Sequence, residues 1–333
     1  MADKAFFVGV DLGGTSMRAG VVNRKGEVVA LEKRKSQPRD TDAVRGNARA
    51  TVDRLAQTIE RAAREADLRL RDLGGIGVAV PGVVDFEQGI VRLAPNLGST
   101  WTNFPFARHL RALLGRKIYL FNDVRAGAVG EHTFGAGRGI KDMVAIFVGT
   151  GIGGGIILDG ELRTGFRGCA GEIGHTVIAA DNDVIGITGQ PGTVEPLTSR
   201  GGMQRMLEDA MKAGRSSVIP ELIQSVGHGR LTSSVIVEAL KRDDALMQEV
   251  LAKAQHYLGL LAANLVNILD PEMVVFGGGV TERMGMRFIR PIHETALKNF
   301  IQKQRARQVK FAPAALKDHS GVVGAAVLAR RLG

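Results

Sequence analysis

The chain has 333 residues, about two domains at a prior of roughly 150 residues each. With 44% hydrophobic and 23% charged residues it can bury a core without disulfides or a structural metal, and a disordered, collagenous or coiled-coil chain is excluded. A single cysteine, Cys169, rules out an intrachain disulfide and any zinc site built on two cysteines, while the net charge of +10 leaves open a nucleic acid or a polyanionic small ligand as partner.

The elements follow in chain order. Residues 6–10 are apolar and read as a strand, Asp11-Leu12-Gly13-Gly14-Thr15 as a turn, and 17–22 as a second strand that Asn23-Arg24-Lys25-Gly26 turns into a third. Ala48, Val52, Leu55, Ile59 and Ala62 fall at helical spacing and predict a helix over 42–66. Residues 77–80 and 118–121 read as buried strands, the second ended by Asn122-Asp123. A helix over 124–133 follows, with Asn122 or Asp123 as its cap. Residues 144–148 form a strand, Gly149-Thr150-Gly151-Ile152-Gly153-Gly154-Gly155 a glycine turn, and 156–158 the returning strand. At an offset of 136 residues this overlays 8–22, so the chain reads as two similar halves with a cleft between them. Leu251, Ala254, Leu258, Leu261, Leu265 and Ile268 mark a long helix stopped by Asp270-Pro271; a strand over 273–276, the run Gly277-Gly278-Gly279 and a last helix over 323–330 complete the pattern.

The opening residues reach Asp11 after six largely apolar residues, short of a signal peptide's apolar core. The longest conspicuous uncharged run, 143–158, has 16 residues with five glycines, whereas a membrane helix needs roughly 20 apolar residues. A soluble cytoplasmic protein is expected, with no membrane partner. The densest basic stretch, 298–310, carries five positive and no negative residues; without aromatic interleaving it reads as a solvated helix face, and no nucleic-acid partner is expected.

Four groups of residues can carry chemistry. Asp11-Leu12-Gly13-Gly14-Thr15 combines backbone N–H groups free to point at an anion, a hydroxyl donor and a carboxylate able to hold hydrated Mg²⁺; the same residues also suit a plain hairpin turn. The 149–155 glycines make sense where backbone approaches a ligand, or in a bulged hairpin; no Walker A lysine is present, and a strand rather than a helix follows the turn. Asp123 beside Asn122 is a carboxylate at a helix start, suited to taking a proton from a hydroxyl or to capping alone. Glu172 and His175 sit on a glycine-rich loop where both can hydrogen-bond sugar hydroxyls. The histidines at 109, 132, 228, 256, 293 and 319 lie in no motif.

In this order and spacing the pieces resemble the ROK family (repressors, open reading frames and sugar kinases), over nearly the whole chain. The most specific stretch is 148–175, VGTGIGGGIILDGELRTGFRGCAGEIGH. It is supported by DLGGTSMRAGVV, GVAVPGVVD (77–85), PNLGSTW (95–101), FNDVRAGAVGEHTFGAG (121–137) and DPEMVVFGGGV (270–280). The resemblance implies an α/β, actin/hexokinase-like (ribonuclease H-like) duplicated fold with an active-site cleft between two domains. The first would be 1–121 plus 318–333 and the second 122–317. It implies ATP-dependent phosphorylation of a hexose, with glucose the expected sugar, Mg²⁺ as the cofactor and a homo-dimer or tetramer. Asp11, Gly13, Gly14 and Thr15 match the first phosphate motif, Thr150 and Gly151 the second, and Gly277 and Gly278 the adenosine-side motif. Asp123 matches the catalytic base, beside Asn122, Glu172, His175 and Glu195 as sugar contacts.

One stretch departs from the pattern. Family members follow Gly-His with a cysteine-rich zinc loop, and here DNDVIGITGQPGTVEPL has no cysteine. No metal ligand is therefore assigned. His175 is left as a sugar contact alone, and the 181–195 loop is expected to be held by packing through Pro191 and Pro196. Kinases of the same family acting on fructose, allose or an N-acylhexosamine stay open, as does a polyphosphate donor. A sugar-sensing repressor is disfavoured, because a first strand at Phe6 leaves no room for a preceding helix-turn-helix segment.

Overall fold

The apolar alternation at the start of the chain closes an antiparallel hairpin, β1 (Phe6–Leu12) and β2 (Ser16–Asn23), in register from Phe6↔Asn23 to Leu12↔Met17. The computed structural model describes residues 4–36, 47–94, 97–186, 189–226 and 229–333. The expected helical residues 42–46, Pro95 and Asn96 of the 95–101 motif, and His228 lie outside the described residues. The chain splits into two compact units, 1–139 with 162–170 and 318–333, and 140–161 with 171–317.

In the first unit β3 (Val28–Lys35) pairs with β2, while β4 (Ile76–Val80) and β7 (Ile118–Asn122) extend the sheet parallel to β1, giving the order β3-β2-β1-β4-β7. Between β3 and β4 lies α1 (Ala48–Glu65), whose cap Asn47 accepts from the Ala50 N–H. Val52, Leu55 and Ile59 of α1 share a core with Val8, Val10 and Leu12. The hairpin β5 (Val83–Asp85) and β6 (Ile90–Leu93) and the helix α2 (Phe106–Leu114) precede β7, and α3 (Asp123–Phe134) follows it without a gap.

The opposite face of the sheet takes the chain's last helix, Ser320–Leu332. Two glycines that are cross-strand partners, Gly9 and Gly77, make that possible. A Cβ at Gly9 would lie 1.8 Å from the Val322 carbonyl oxygen, and one at Gly77 2.1 Å from that of Ala325. The helix therefore rests on the sheet backbone itself, closer than any side chain allows. Gly130 of α3 and Gly324 of the last helix bring those helices together in the same way, and the buried Glu131 links them by accepting from the Ser320 hydroxyl at 2.6 Å. This packing places α3 in the first unit, whereas the boundary read from the sequence falls between 121 and 122, ahead of the helix and its cap.

The second unit repeats the plan. β8 (Met143–Val148) and β9 (Ile152–Leu158) form an antiparallel hairpin, with the two-residue strand β10 (Glu161–Leu162) beside β9. The short helices α4 (Val194–Thr198), α5 (Arg200–Lys212), α6 (Ile219–Ser225) and α7 (Ser233–Lys241) lead to α8 (Ala245–Leu269). Then come β11 (Met273–Gly277), α9 (Gly279–Met284), α10 (Met286–Asn299) and β12 (Lys310–Pro313). The strand order β10-β9-β8-β11-β12 matches that of the first sheet, with β8 in the place of β1. The overlay at 136 residues is thus a structural repeat, and this is the duplicated α/β arrangement of the actin/hexokinase-like fold. Asp244 caps α8 by accepting from the Met247 N–H at 2.7 Å, and Asp270 ends it in the left-handed conformation at φ 46°. Among the described residues no helix is long and apolar enough to cross a membrane.

Two local expectations are corrected. Gly153, Gly154 and Gly155 belong to β9 and not to the turn: a Cβ at Gly154 would meet the Ile173 side chain at 2.6 Å, so the glycine makes room for the 171–174 loop on the strand. The basic stretch 298–310 is exposed but not a helix face. α10 stops at Asn299 because Asn267 on α8 intervenes, donating to the Asn299 carbonyl and accepting from the Ile301 N–H, both at 3.0 Å, while Phe300 turns into the core.

Candidate active site

The period-two alternation of β1 puts Gly9 and Asp11 on one face. Because Gly9 admits the last helix so closely, the Asp11 carboxylate comes to its first turn, where a Cβ on Gly321 would lie 3.1 Å from Asp11 Cγ. Asp11 lies on the strand rather than in the turn, which is left to Gly13, Gly14 and Thr15. The Gly13 N–H donates to the Ser16 carbonyl at 2.9 Å, and Gly14 and Thr15 are exposed. Arg18, the cross-strand partner of Asp11, reaches its carboxylate at 3.5 Å and that of Asp318 at 2.9 Å. Burial holds the Asp11 pKa above the ordinary carboxylate value; Arg18 pulls it down and Asp318 pushes it up.

Asn122 and Asp123 stand where β7 passes into α3. Asn122 is the cap: its side-chain oxygen accepts from the Arg125 N–H at 3.1 Å and its amide donates to the Gly82 carbonyl at 3.0 Å. That leaves Asp123 as the first helical residue, half-buried, with Oδ1 accepting from the Val124 N–H at 2.9 Å. Arg125, which drew no notice in the sequence, is buried and donates from Nη1 to the Gly168 carbonyl at 2.6 Å, pinning the 162–170 segment to α3.

In the second unit the turn Gly149–Gly151 closes on itself, the Gly149 N–H donating to the Gly151 carbonyl at 2.9 Å. Gly277, the last residue of β11, and Gly278 after it, the expected adenosine-side pair, pack against the strand that leads into this turn. A Cβ at Gly278, which has φ +89°, would lie 2.3 Å from the Val148 carbonyl oxygen, and one at Gly277 2.5 Å from the Phe147 ring. Ser233, at the start of α7, lies against Gly279. The exposed Thr150 accepts at Oγ1 from Nη2 of Arg200 at 3.2 Å. Arg200 is half-buried and its Nε has no partner among the described residues; burial and the nearby Arg230 lower its pKa. Nothing in the sequence flagged it, because an arginine opening a helix ordinarily reads as solvated.

The segment that carries Glu172 and His175 and the carboxylate of Glu195 approach Ile152 from two sides. Glu172 caps the single 3₁₀ turn Ile173–His175, and a Cβ at Gly174 would lie 2.3 Å from the Ile152 carbonyl oxygen. From the other side Glu195 Oε2 accepts the Ile152 N–H at 2.9 Å. Glu172, His175 and Glu195 are all half-buried. Asn122 and Asp123 belong to the first unit, and these three to the second.

The described residues of the 177–194 stretch are tied mainly by backbone hydrogen bonds. The Ile178 N–H donates to Gly192 at 2.9 Å, Gly192 to Val184 at 3.1 Å and Gly186 to Gln190 at 3.1 Å, while Arg205 of α5 donates to the Ile185 carbonyl at 2.9 Å. Of the two prolines expected to hold the loop, Pro196 is buried in α4 and Pro191 is exposed. Pro191 instead bridges Ile185 in the antiparallel sense. No cluster of three or more His, Cys, Asp or Glu side chains able to hold a metal occurs among the described residues. Asp11, with Arg18 and Asp318 beside it, is a single carboxylate of the kind that can hold a hydrated Mg²⁺ whose other ligands come from elsewhere.

Three comparisons place the chain among known proteins. A family model described as the ROK family matches residues 7–332. A glucokinase of Halalkalibacterium halodurans is 30% identical over 331 residues, 99% of this chain and 96% of its own length. A xylose repressor of Caldicellulosiruptor bescii is also 30% identical, over 97% of this chain and 77% of its own length. The crystal structure of a ROK family glucokinase from Streptomyces griseus, in complex with glucose and AMPPNP, superimposes with a TM-score of 0.81 at 29% identity, covering 98% of this chain and 99% of that one.

Proposed function

The chain belongs to the ROK family, and we propose that it is an ATP-dependent sugar kinase whose substrate is a hexose, with glucose the expected one. The observation that carries the reading is the placement of Asp123 at the first position of α3, held there by the Asn122 cap. A positioned carboxylate of this kind takes the proton of the attacking hydroxyl as the bond to phosphorus forms. A protein that only senses a sugar has no use for it. The likeness to a glucokinase that binds glucose and an ATP analogue supports both substrates.

Phosphoryl transfer asks for positioning and charge neutralisation more than for covalent chemistry. In this reading Asn122, Glu172, His175 and Glu195 hydrogen-bond the sugar. Such contacts reject a sugar that leaves them unpaired. Gly13, Gly14 and Thr15 of the first unit, and Thr150 and Gly151 of the second, offer backbone N–H and hydroxyl donors to phosphate oxygens. Gly277 and Gly278 give the nucleoside an approach free of side chains. Mg²⁺, arriving with the nucleotide, neutralises phosphate charge, and Asp11 would hold it. The reading extends to a cytoplasmic homo-oligomer.

The test is a coupled assay over glucose, fructose, allose and N-acetylglucosamine, with ATP and inorganic polyphosphate as alternative donors. ATP-dependent turnover, fastest on glucose, is expected. Sugar binding without turnover on any pair would favour a sensor, the activity named for the Caldicellulosiruptor relative.

A further inference from the structure

We propose that Arg200, with Arg230 beside it, is the cationic contact of this protein for the phosphoanhydride chain of its phosphoryl donor, receiving a phosphate oxygen at the Gly149–Gly151 turn. The proposal deepens the kinase reading by naming a donor-binding group that the motif residues do not include.

The argument begins with an unbalanced charge. Arg200 is half-buried, and among the described residues no carboxylate comes within ion-pair distance of it. Its guanidinium donates from Nη2 to the Thr150 hydroxyl, and its Nε is buried without a partner among the described residues. The charged group that acts on it is a second cation, Arg230. That arrangement is anchored: Gln204, one turn along α5, accepts from the Leu231 N–H at 2.9 Å, which ties the exposed Arg230 to the same end of the helix. Withdrawing a guanidinium from water beside another cation is costly unless an anion completes the site.

The geometry says which anion. Arg200 touches the hydroxyl of the turn expected to meet phosphate, and Gly278 packs against the Val148 carbonyl just before that turn. The N-terminus of α5 is not itself the anion site. Its N–H groups are engaged, Arg200 with the Gly149 carbonyl, Gly201 with that of Thr150, and Gly202 with Ser199 Oγ. The positive charge therefore comes from side chains, and a planar guanidinium forks naturally onto two phosphate oxygens. Nucleoside triphosphate and inorganic polyphosphate share the phosphoanhydride, so both fit the contact.

Calorimetry on the intact protein, with tripolyphosphate, ATP and adenosine as separate probes, tests the assignment. Expected are binding of tripolyphosphate and ATP by the parent protein and, in R200Q, a loss of about tenfold in affinity for both, the scale of one charge-assisted contact, with adenosine unchanged within twofold. R200K should recover part of the loss. R230Q, at an exposed position, should weaken tripolyphosphate about threefold at low salt and not at high salt. The proposal is overturned if the parent protein ignores tripolyphosphate, or if R200Q, or R200K and R230Q should R200Q fail to fold, bind both phosphates as the parent does. A parallel loss of adenosine would also overturn it, since that marks a packing role. ATP against polyphosphate as the physiological source is read from which donor's KM rises in R200Q. A protein that binds tripolyphosphate through Arg200 yet phosphorylates no sugar sinks the kinase reading and leaves this assignment standing.

Discussion

The carboxylate of Glu195 occupies the space that a side chain at Gly151 would need: a Cβ there would lie 2.3 Å from Oε2, which is bonded to the neighbouring Ile152 N–H at 2.9 Å. The turn expected to meet phosphate and an expected sugar contact thus constrain each other directly. Gly151→Ala should push Glu195 aside and strand that N–H. Because the obstructing atom ends a flexible side chain, the fold should survive with a modest drop in Tm. The loss of one buried hydrogen bond costs roughly 1–3 kcal/mol, and kcat/KM for the sugar should fall at least tenfold. Steady-state kinetics with a melting curve checks both; an unchanged kcat/KM would remove Glu195 from the sugar site.

Asp123→Asn keeps the shape of the side chain and the first turn of α3 while removing the base. We expect kcat to fall by a factor on the order of 10² or more, with sugar affinity within about twofold by direct titration. Retention of most of the turnover would reassign the base.

Most of the fold is legible in the sequence because its strands are short apolar runs closed by turn residues, as at residues 6–23 and 144–158. The start of α3 is legible too, since Asn-Asp before a helical stretch has one common structural use. What escapes is whatever depends on a distant partner. Gly9 and Gly77 read as permissive strand residues until the last helix, more than 200 residues further on, is laid across them. Gly153 to Gly155 read as turn because glycine weakens a strand, and only the contact of Ile173 with Gly154 explains their place in β9. Arg200 is invisible for the same reason: its meaning lies in a hydroxyl 50 residues away.

Asp11 sets stability against function. Its folded pKa lies above the ordinary value, so the folded chain holds the proton more tightly than the unfolded one. The stabilisation belongs to the neutral form. It is full below the unfolded pKa and is lost as pH rises through the folded one, so at neutral pH the charged group costs stability. Asp11→Asn should therefore melt at the same or a higher temperature than the parent at pH 7, with the difference vanishing in acid below the ordinary carboxylate range. Arg18 keeps Asp318 at 2.9 Å as its partner. Turnover with MgATP should drop by a factor on the order of 10² if the carboxylate holds the metal. Melting curves from pH 3 to pH 8, paired with Mg²⁺ titrations of activity, test this. A variant with a lower Tm at pH 7 and normal Mg²⁺ dependence would contradict both halves.

The 177–194 loop should stand without zinc. A zinc loop of the family type draws on several thiolates, and this chain has Cys169 alone. Here the work falls to hydrogen bonds that need no metal: Ile178 to Gly192, Gly192 to Val184, Gly186 to Gln190, and the Arg205 guanidinium to the Ile185 carbonyl. Gly192 matters most among them. It has φ +65°, and a Cβ would lie 2.0 Å from the Ala179 carbonyl oxygen, so only glycine allows the two sides of the loop to close. Purified protein should carry well under one zinc per chain by elemental analysis, and a strong zinc chelator should leave activity intact once Mg²⁺ is resupplied. Gly192→Ala should open the loop and, because Thr193 leads directly into α4, shift Glu195 with it. Sugar KM should then rise by about an order of magnitude, the loss of one hydrogen bond to a charged group, while ATP KM holds. Stoichiometric zinc whose removal abolishes activity would show that other ligands close the loop, and His175 would be the first to examine.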